Sequence, residues 1–168
     1  MEIKVLTAVL QANDTIAEQN RELFRQHGNF VINLMGAPGA GKTSLLERTI
    51  QALSGELSIG VIEGDISTSL DAERISKKNV PVVQLNTHGA CHLDANMIHN
   101  AIVYMDLKVL DLLIIENIGN LVCPAEFKVG EDHKVMLSSV PEGDDKPQKY
   151  PLMFKESKVL LLNKMDLM

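Results

Sequence analysis

The chain has 168 residues, a formal net charge of −6 and 45 % hydrophobic residues, which predicts one globular domain with a substantial core. The acidic balance argues against a broad nucleic-acid or anionic-membrane surface, and no apolar run is long enough to span a bilayer. The first residues lack a signal-peptide pattern, and two cysteines make no disulfide framework. We therefore expect a cytoplasmic protein with reduced thiols that binds neither nucleic acid nor membrane.

Hydrophobic periodicity predicts strands that alternate with helices along the chain. Helical spacing covers residues 6–27, 44–53 and 67–75, and the polar run at residues 141–147 has the composition of a mobile loop. Strands are predicted at residues 30–35, 58–62, 80–85, 110–116 and 158–162, the fourth central and the last buried. This alternation predicts an α/β fold of three layers with a mostly parallel central sheet.

A glycine-rich stretch between the first strand and the second helix fits the phosphate-loop pattern G-x-x-x-x-G-K-[ST]. The pattern is matched by Gly36, Ala37, Pro38, Gly39, Ala40, Gly41, Lys42 and Thr43, and Ser44 follows in the helix. Glycines let the backbone approach a polyphosphate, and the helix start adds unpaired N–H donors. The lysine would reach the β- and γ-phosphates, and the threonine hydroxyl would occupy one Mg²⁺ position. The alternative is a simple glycine turn, but the strand–loop–helix context favours a P-loop NTPase.

Two acidic residues follow strands at the edge where parallel sheets hold ligands. Asp65 ends the second strand, and we expect it near Mg²⁺ and the phosphates; the alternative is a helix N-cap. Glu116 ends the most apolar strand and would hold Mg²⁺ or its water, while the Gly119 N–H could meet a γ-phosphate. We therefore predict Lys42, Asp65 and Glu116 as catalytic residues, and Thr43, Asp65 and Glu116 as the Mg²⁺ site.

The last strand runs into Asn163-Lys164-Met165-Asp166, which matches the guanine-recognition motif N-K-x-D. One carboxylate can accept both guanine N1–H and the 2-amino group, so Asp166 would select guanine over adenine. Asn163 would tie the loop to the base edge or to the phosphate loop, and the Lys164 stem would lie along the ring face. The alternative is a solvated turn. Because the chain ends two residues after Asp166, we expect a domain that is incomplete at its C-terminal end.

A second chemistry is predicted at the same edge of the sheet. Cys91 and His92 follow the third strand, and Cys123 follows the fourth. Two thiolates and an imidazole suit Zn²⁺ or Ni²⁺, and a water or a second subunit could supply the fourth ligand. Spacing alone leaves open the alternative of two small cysteines beside an incidental histidine.

From about residue 20 to its end, the chain resembles the HypB family of hydrogenase nickel-incorporation GTPases. The resemblance rests on the segments G-A-P-G-A-G-K-T, E-G-D-I, C-H-L-D-A, E-N-I-G-N-L-V-C-P and N-K-M-D. It implies a GTPase that assists nickel delivery to [NiFe] hydrogenase, a metal site on Cys91, His92 and Cys123, and a homodimer favoured by GTP. It also implies other hydrogenase maturation proteins and the hydrogenase large subunit as partners. The chain lacks a Cys- or His-rich N-terminal segment, so no separate nickel store is expected.

We accordingly expect one GTPase domain over residues 1–168, with the helix of residues 1–28 packed on it, and GTP, Mg²⁺ and Ni²⁺ or Zn²⁺ as cofactors. Three alternatives remain. A urease-accessory GTPase of the UreG type shares the nucleotide motifs but uses a Cys-Pro-His arrangement, whereas Cys91 is followed directly by His92. A P-loop small-molecule kinase is disfavoured by N-K-M-D. A non-enzymatic metal-storage module would have no need of the nucleotide motifs.

Overall fold

The structure is a computed structural model that describes residues 5–66 and 69–168, with side chains described from Leu10 onward. The helices in these ranges are α1 (Val5–His27), α2 (Lys42–Leu53), α3 (Leu70–Ser76), α4 (Ala95–Ile102), α5 (Cys123–Glu126), α6 (Lys146–Lys149) and α7 (Pro151–Glu156). The strands are β1 (Phe30–Gly36), β2 (Ile59–Asp65), β3 (Val82–Asn86), β4 (Leu112–Glu116), β5 (His133–Ser139) and β6 (Val159–Asn163). None of the helices within the described ranges has the length and apolar character that crossing a bilayer requires.

The strands form one sheet in the order β3-β2-β4-β1-β5-β6, and all neighbouring strands run parallel. Parallel strands place their carboxyl ends at one edge, where α/β proteins bind ligands. Gly36, Asp65, Glu116 and Asn163 each end a strand and therefore share that edge. The predicted α/β fold with a mostly parallel sheet is confirmed.

Both faces of the sheet are covered, which explains why β4 is apolar at almost every position. Leu113 and Ile115 pack in a buried cluster with side chains of α1 and α4. Leu112 and Ile114 point the other way and pack with side chains of α2 and α3. The alternation of β4 side chains between two helical layers confirms the predicted three-layer arrangement.

The long N-terminal helix is held to the rest of the chain by amide side chains. Asn13 Nδ2 donates to Lys128 O at 2.8 Å, and Asn20 Nδ2 donates to Ala95 O at 2.8 Å and to Val129 O at 3.2 Å. Asn20 is completely buried, so these bonds replace water that the amide would otherwise bind. α1 is therefore fixed against the segments before β5 and at the start of α4.

Two sequence-based expectations need correction. β6 was expected to be buried, but Val159 is 42 % exposed and Leu162 is 61 % exposed. The strand lies at the end of the sheet and pairs only with β5 among the described strands, so a purely apolar sequence does not report burial here. The polar run at residues 141–147 is not a simple loop: it includes part of a 3₁₀ turn at Val140–Glu142 and the start of α6.

Candidate functional site

The phosphate loop joins β1 to α2 and opens on a cavity of about 500 Å³. Gly41 caps α2 with φ 101°, a left-handed conformation that glycine adopts without strain. A Cβ at this position would also lie 2.4 Å from Asn163 Nδ2. The glycine therefore permits both the turn into α2 and the close approach of the segment after β6.

The two polar side chains that open α2 are almost fully buried. Lys42 is 8 % exposed, and its Nζ lies 3.5 Å from Gly36 O and 3.4 Å from Ala37 O. Burial lowers the pKa of Lys42, with Glu116 acting in the opposite direction. Thr43 Oγ1 donates to Glu116 Oε1 at 2.8 Å, which joins α2 to the end of β4. The lysine, the threonine and the predicted acid thus meet beneath the loop.

Glu63, which was not predicted as a site residue, lies directly opposite Glu116 on the neighbouring strand β2. Glu63 and Glu116 are each 3 % exposed. Within the described residues, the Oε2 atom of each carboxyl lacks a hydrogen-bond donor. Burial raises the pKa of both carboxyls, that of Glu63 to about 10, and one shared proton can hydrogen-bond the pair. Paired carboxyls with unsatisfied oxygens fit a divalent cation, so Thr43 and Glu116 are suitable ligands for Mg²⁺.

Asp65 and Gly119 complete the part of the cavity next to the phosphate loop. Asp65 is the last residue of β2 and lines the cavity, while the N-cap position of α3 is occupied by Ser69. The N-cap alternative for Asp65 therefore does not apply. Gly119 packs so closely on the loop that a Cβ there would lie 2.9 Å from both N and Cα of Pro38.

The N-K-x-D segment also contacts the phosphate loop. Asn163 Nδ2 donates to Ala40 O at 2.8 Å, and Lys164 Nζ donates to Gly39 O at 2.7 Å. Of the two contacts considered for Asn163, the structure has the one to the phosphate loop. Asp166 lies in the 3₁₀ turn Met165–Leu167, where its side chain is exposed.

The cavity gathers most of the predicted nucleotide residues. The residues that line it are Pro38, Gly39, Gly41, Lys42, Thr43, Ser44, Gly64, Asp65, Ile66, Asp71, Arg74, Glu116, Asn117, Ile118, Gly119 and Lys164. Gly36, Ala37, Ala40, Asn163 and Asp166 do not line it, although the first four belong to the loop or bond to it. Asp71 and Arg74 were missed because no nucleotide motif includes them.

The predicted metal residues form a compact cluster, which we call the thiol cluster: Cys91, His92 and Cys123. One ligand atom from each lies within 4.8 Å of the others, and all three side chains are partly exposed. The two Sγ atoms are 2.7 Å apart, and Cys91 Sγ is 3.6 Å from His92 Nδ1. The His92 ring stacks on Phe127 with centroids 3.8 Å apart, a contact that the sequence did not reveal.

The pKa shifts in the thiol cluster favour a neutral imidazole at His92 and a protonated thiol at Cys123. Burial lowers the pKa of His92, which keeps the ring neutral and its lone pair available. The hydrogen bond between Cys123 and Cys91, together with burial, raises the pKa of the Cys123 thiol, so a metal must displace a proton from that thiol. Two sulfurs and one nitrogen are a suitable donor set for Zn²⁺ or Ni²⁺.

Asn120 joins the phosphate loop to the thiol cluster. Its N–H donates to Gly36 O at 3.1 Å, at an antiparallel bridge to the end of β1. Its Nδ2 donates to Cys91 O at 3.2 Å, and its Oδ1 accepts from Val122 N at 2.8 Å, beside Cys123. One residue therefore holds the first glycine of the loop and both cysteine-bearing segments.

Asn117 makes a second link between the sheet and the cluster. Its Oδ1 accepts from Leu93 N at 3.1 Å, directly after His92, and its Nδ2 donates to Asn33 Oδ1 at 3.1 Å. Asn117 is 1 % exposed, so these bonds are shielded from water. The segment that carries Cys91 and His92 is thus anchored to the residue that follows Glu116.

Comparison with known proteins identifies the family of this chain. The family model for the CobW/HypB/UreG nucleotide-binding domain matches residues 30–168. Hydrogenase maturation factor HypB of Rhizobium leguminosarum bv. viciae is 49 % identical over 166 residues, which is 99 % of this chain and 56 % of that protein. The chain therefore spans little more than half the length of that relative.

Two solved structures share the fold closely. A HypB from Helicobacter pylori, crystallised in complex with nickel, aligns with a TM-score of 0.88 and 41 % identity over 93 % of this chain and 74 % of that chain. A HypB from Archaeoglobus fulgidus aligns with a TM-score of 0.86 and 41 % identity over 94 % and 76 % of the two chains. The phosphate loop, the carboxyl pair and the thiol cluster thus belong to a chain of the CobW/HypB/UreG nucleotide-binding family, in its HypB group.

Proposed function

We propose that this chain is the GTP-hydrolysing part of a nickel metallochaperone that acts in the maturation of [NiFe] hydrogenase. The observation that carries the proposal is Asn120, which bonds a phosphate loop on one side and a thiol–imidazole cluster on the other. A nucleotide enzyme without a metal function has no use for the cluster, and a metal store has no use for the loop.

In this proposal the phosphate loop supplies backbone N–H groups to the nucleotide, and Lys42 supplies the positive charge for its β- and γ-phosphates. Thr43 and Glu116 hold Mg²⁺, and Asp65 lies on the wall of the same cavity. Bound Mg²⁺ would neutralise charge on the phosphates as the terminal bond breaks. We assign to Asp65 the orientation of water in the cavity, and to Gly119 a backbone contact with the γ-phosphate.

Guanine selection is assigned to Asp166, since one carboxylate can accept hydrogen bonds from both guanine N1–H and the 2-amino group. Asn163 and Lys164 hold its segment against the phosphate loop through Ala40 and Gly39. The base site and the phosphate site are therefore joined by direct hydrogen bonds, so base and phosphates should bind as a unit.

Nickel, or zinc, is assigned to the thiol cluster as cargo. Each chain offers three ligands, and a two-fold homodimer could complete the shell by bringing two clusters together. Because Asn120 bonds to the phosphate loop, we propose that GTP and GDP favour different arrangements of the cluster and that GTP favours the dimer. Other maturation proteins and the hydrogenase large subunit are the proposed partners, in the cytoplasm.

Nucleotide preference tests the enzymatic part of the proposal. Binding of GTP and ATP, each with Mg²⁺, is measured by calorimetry for the unmodified chain, Asp166→Ala and the exposed control Asp144→Ala. We expect the chain and the control to prefer GTP, and Asp166→Ala to lose the preference while keeping most phosphate affinity. Equal affinity of the unmodified chain for GTP and ATP would contradict the proposed function.

A further inference from the structure

An arginine outside every nucleotide motif lies on the wall of the phosphate cavity. Arg74 belongs to α3, and its Nη2 donates to Ser44 Oγ at 3.3 Å and to Glu47 Oε2 at 2.6 Å. Its Nη1 donates to Asp71 Oδ1 at 3.0 Å. The side chain is 40 % exposed and lines the same cavity as Lys42. A cation on α3 thus reaches the first turns of α2.

The contact with Ser44 indicates which part of a nucleotide this cation would meet. In a phosphate loop the backbone N–H groups surround the α- and β-phosphates, the lysine reaches the β- and γ-phosphates, and the threonine faces Mg²⁺. Ser44 directly follows Thr43 and lies in the first turn of α2. Because Lys42 and Thr43 are assigned to the outer phosphates and Mg²⁺, a guanidinium bonded to Ser44 Oγ is available for the remaining α-phosphate.

The present partners of Arg74 leave it able to take a phosphate. A guanidinium has five N–H donors in a planar fork, which suits bidentate contact with phosphate oxygens. The ion pairs with Glu47 and Asp71 are partly exposed to solvent, and such pairs are weak. The negative charge of a phosphate would compete with the Glu47 carboxylate for the Arg74 guanidinium.

We propose that Arg74 binds the α-phosphate of the bound nucleotide, exchanging its contact with Glu47 for this one while Asp71 keeps it on α3. This inference rests on the proposed nucleotide site. It adds a phosphate contact supplied by α3, the helix that follows Asp65, to those supplied by the phosphate loop. Arg74 then links α3 to the nucleotide whenever a guanine nucleotide is bound, whether it is GTP or GDP.

The test measures the affinity of GDP and of a non-hydrolysable GTP analogue, with Mg²⁺, for four variants of the chain. Arg74→Ala should weaken both nucleotides by the same factor, about tenfold to a hundredfold for a lost charge-assisted bond. Arg48→Ala, an exposed arginine on α2, is the matched control and should bind like the unmodified chain. Lys42→Ala tests the nucleotide site itself.

Glu47→Gln separates phosphate binding from a merely structural clamp. If Arg74 binds phosphate, this change frees the guanidinium, and nucleotide affinity should be equal or higher. If Arg74 only ties α3 to α2 through Glu47, the change should weaken binding as Arg74→Ala does, which would overturn the inference. Thermal melting confirms that each variant is folded.

The remaining outcomes separate the two proposals. Unchanged affinity in Arg74→Ala, with loss in Lys42→Ala, overturns the assignment of Arg74 and leaves the nucleotide site standing. A loss confined to the GTP analogue overturns the α-phosphate assignment, because that pattern requires contact with the γ-phosphate. Unchanged affinity in Lys42→Ala counts against the proposed function itself.

Discussion

The phosphate cavity and the thiol cluster lie at the same edge of the sheet but are built differently. Lys42, Thr43 and Glu116 are each no more than 8 % exposed and lie on strand ends or the start of α2. Cys91, His92 and Cys123 are partly exposed and come from two connecting segments that Asn117 and Asn120 hold in place. Removing a side chain from one site should therefore leave ligand binding at the other site unchanged when only one ligand is present. A bound nucleotide and a bound metal, in contrast, should change each other's affinity through Asn117 and Asn120.

The largest expected effect comes from Lys42→Ala. It removes a buried charge and its phosphate contacts, so guanine-nucleotide affinity should fall by about a hundredfold or more. Lys77→Ala, an exposed lysine at the end of α3, should leave affinity unchanged. Metal binding without nucleotide should be the same in both variants, as measured by titration with Ni²⁺ and Zn²⁺. Loss of metal binding in Lys42→Ala would contradict the view that the thiol cluster binds metal without help from the phosphate cavity.

Cys123→Ser should have the opposite effect to Lys42→Ala: it should weaken metal binding and leave nucleotide binding unchanged. Removing a metal ligand should cost more than the roughly 10- to 100-fold typical of second-shell changes, while GDP affinity stays constant. His133→Ala, at the start of β5, removes an exposed imidazole outside the cluster and serves as the control for metal titration. Metal affinity that survives Cys123→Ser would make Cys123 a packing residue and reduce the site to Cys91 and His92.

The pH dependence of metal binding should be smaller but diagnostic. The raised pKa of Cys123 means that metal displaces a proton at neutral pH, so affinity should rise with pH, by at most about tenfold per unit for one proton. The lowered pKa of His92 weakens the competition between protons and metal for the imidazole nitrogen. Zn²⁺ titrations between pH 6 and 8 measure the slope, and Cys123→Ser should reduce it. A flat profile for the unmodified chain would contradict the assignment.

A separate prediction, which involves no ligand, concerns Glu63 and the stability of the nucleotide-free protein. Its pKa is raised to about 10 in the folded chain, so the folded state keeps a proton that the unfolded state releases above the ordinary value of 4.5. This contribution to stability is present below pH 4.5 and is lost as the pH rises towards 10. Glu63→Gln cannot titrate at this position, so its melting temperature should depend less on pH than that of the unmodified chain. The exposed control Glu56→Gln should keep the pH dependence of the unmodified chain. The same slope of melting temperature against pH in both variants would show that Glu63 does not control the pH dependence of stability.

Local sequence motifs predicted which residues meet at the ligand-binding edge of the sheet. The phosphate loop, Asp65, Glu116 and the thiol cluster follow strands, and strand ends in a parallel sheet share an edge, so their grouping could be foreseen. Roles within that group are still proposals. The sequence could not reveal Glu63, because an acid inside the run I-G-V-I-E-G-D has no signal until its partner strand is known. Arg74, Asn120 and Phe127 likewise depend on contacts between distant segments.

Burial was the other failure of sequence reasoning, and β6 shows why. Its run V-L-L-L is as apolar as that of β4, yet β4 lies between two strands and two helical layers, whereas β6 has one neighbouring strand in the described chain. Hydrophobicity reports what a strand can bury, and position in the sheet decides what it does bury. Strand order is a long-range property that periodicity does not contain.

The central claim is that the cavity and the cluster are coupled through Asn120. The most direct measurement is a Ni²⁺ titration of the chain with GDP and with a non-hydrolysable GTP analogue, repeated for Asn120→Ala and for the exposed control Asn100→Ala. We predict different Ni²⁺ affinities in the two nucleotide states. The ratio of these two affinities should be the same in the control Asn100→Ala and close to one in Asn120→Ala. Linkage requires Ni²⁺ to change the relative affinity for the two nucleotides by the same factor. Identical Ni²⁺ affinity in both nucleotide states of the unmodified chain would contradict the claim.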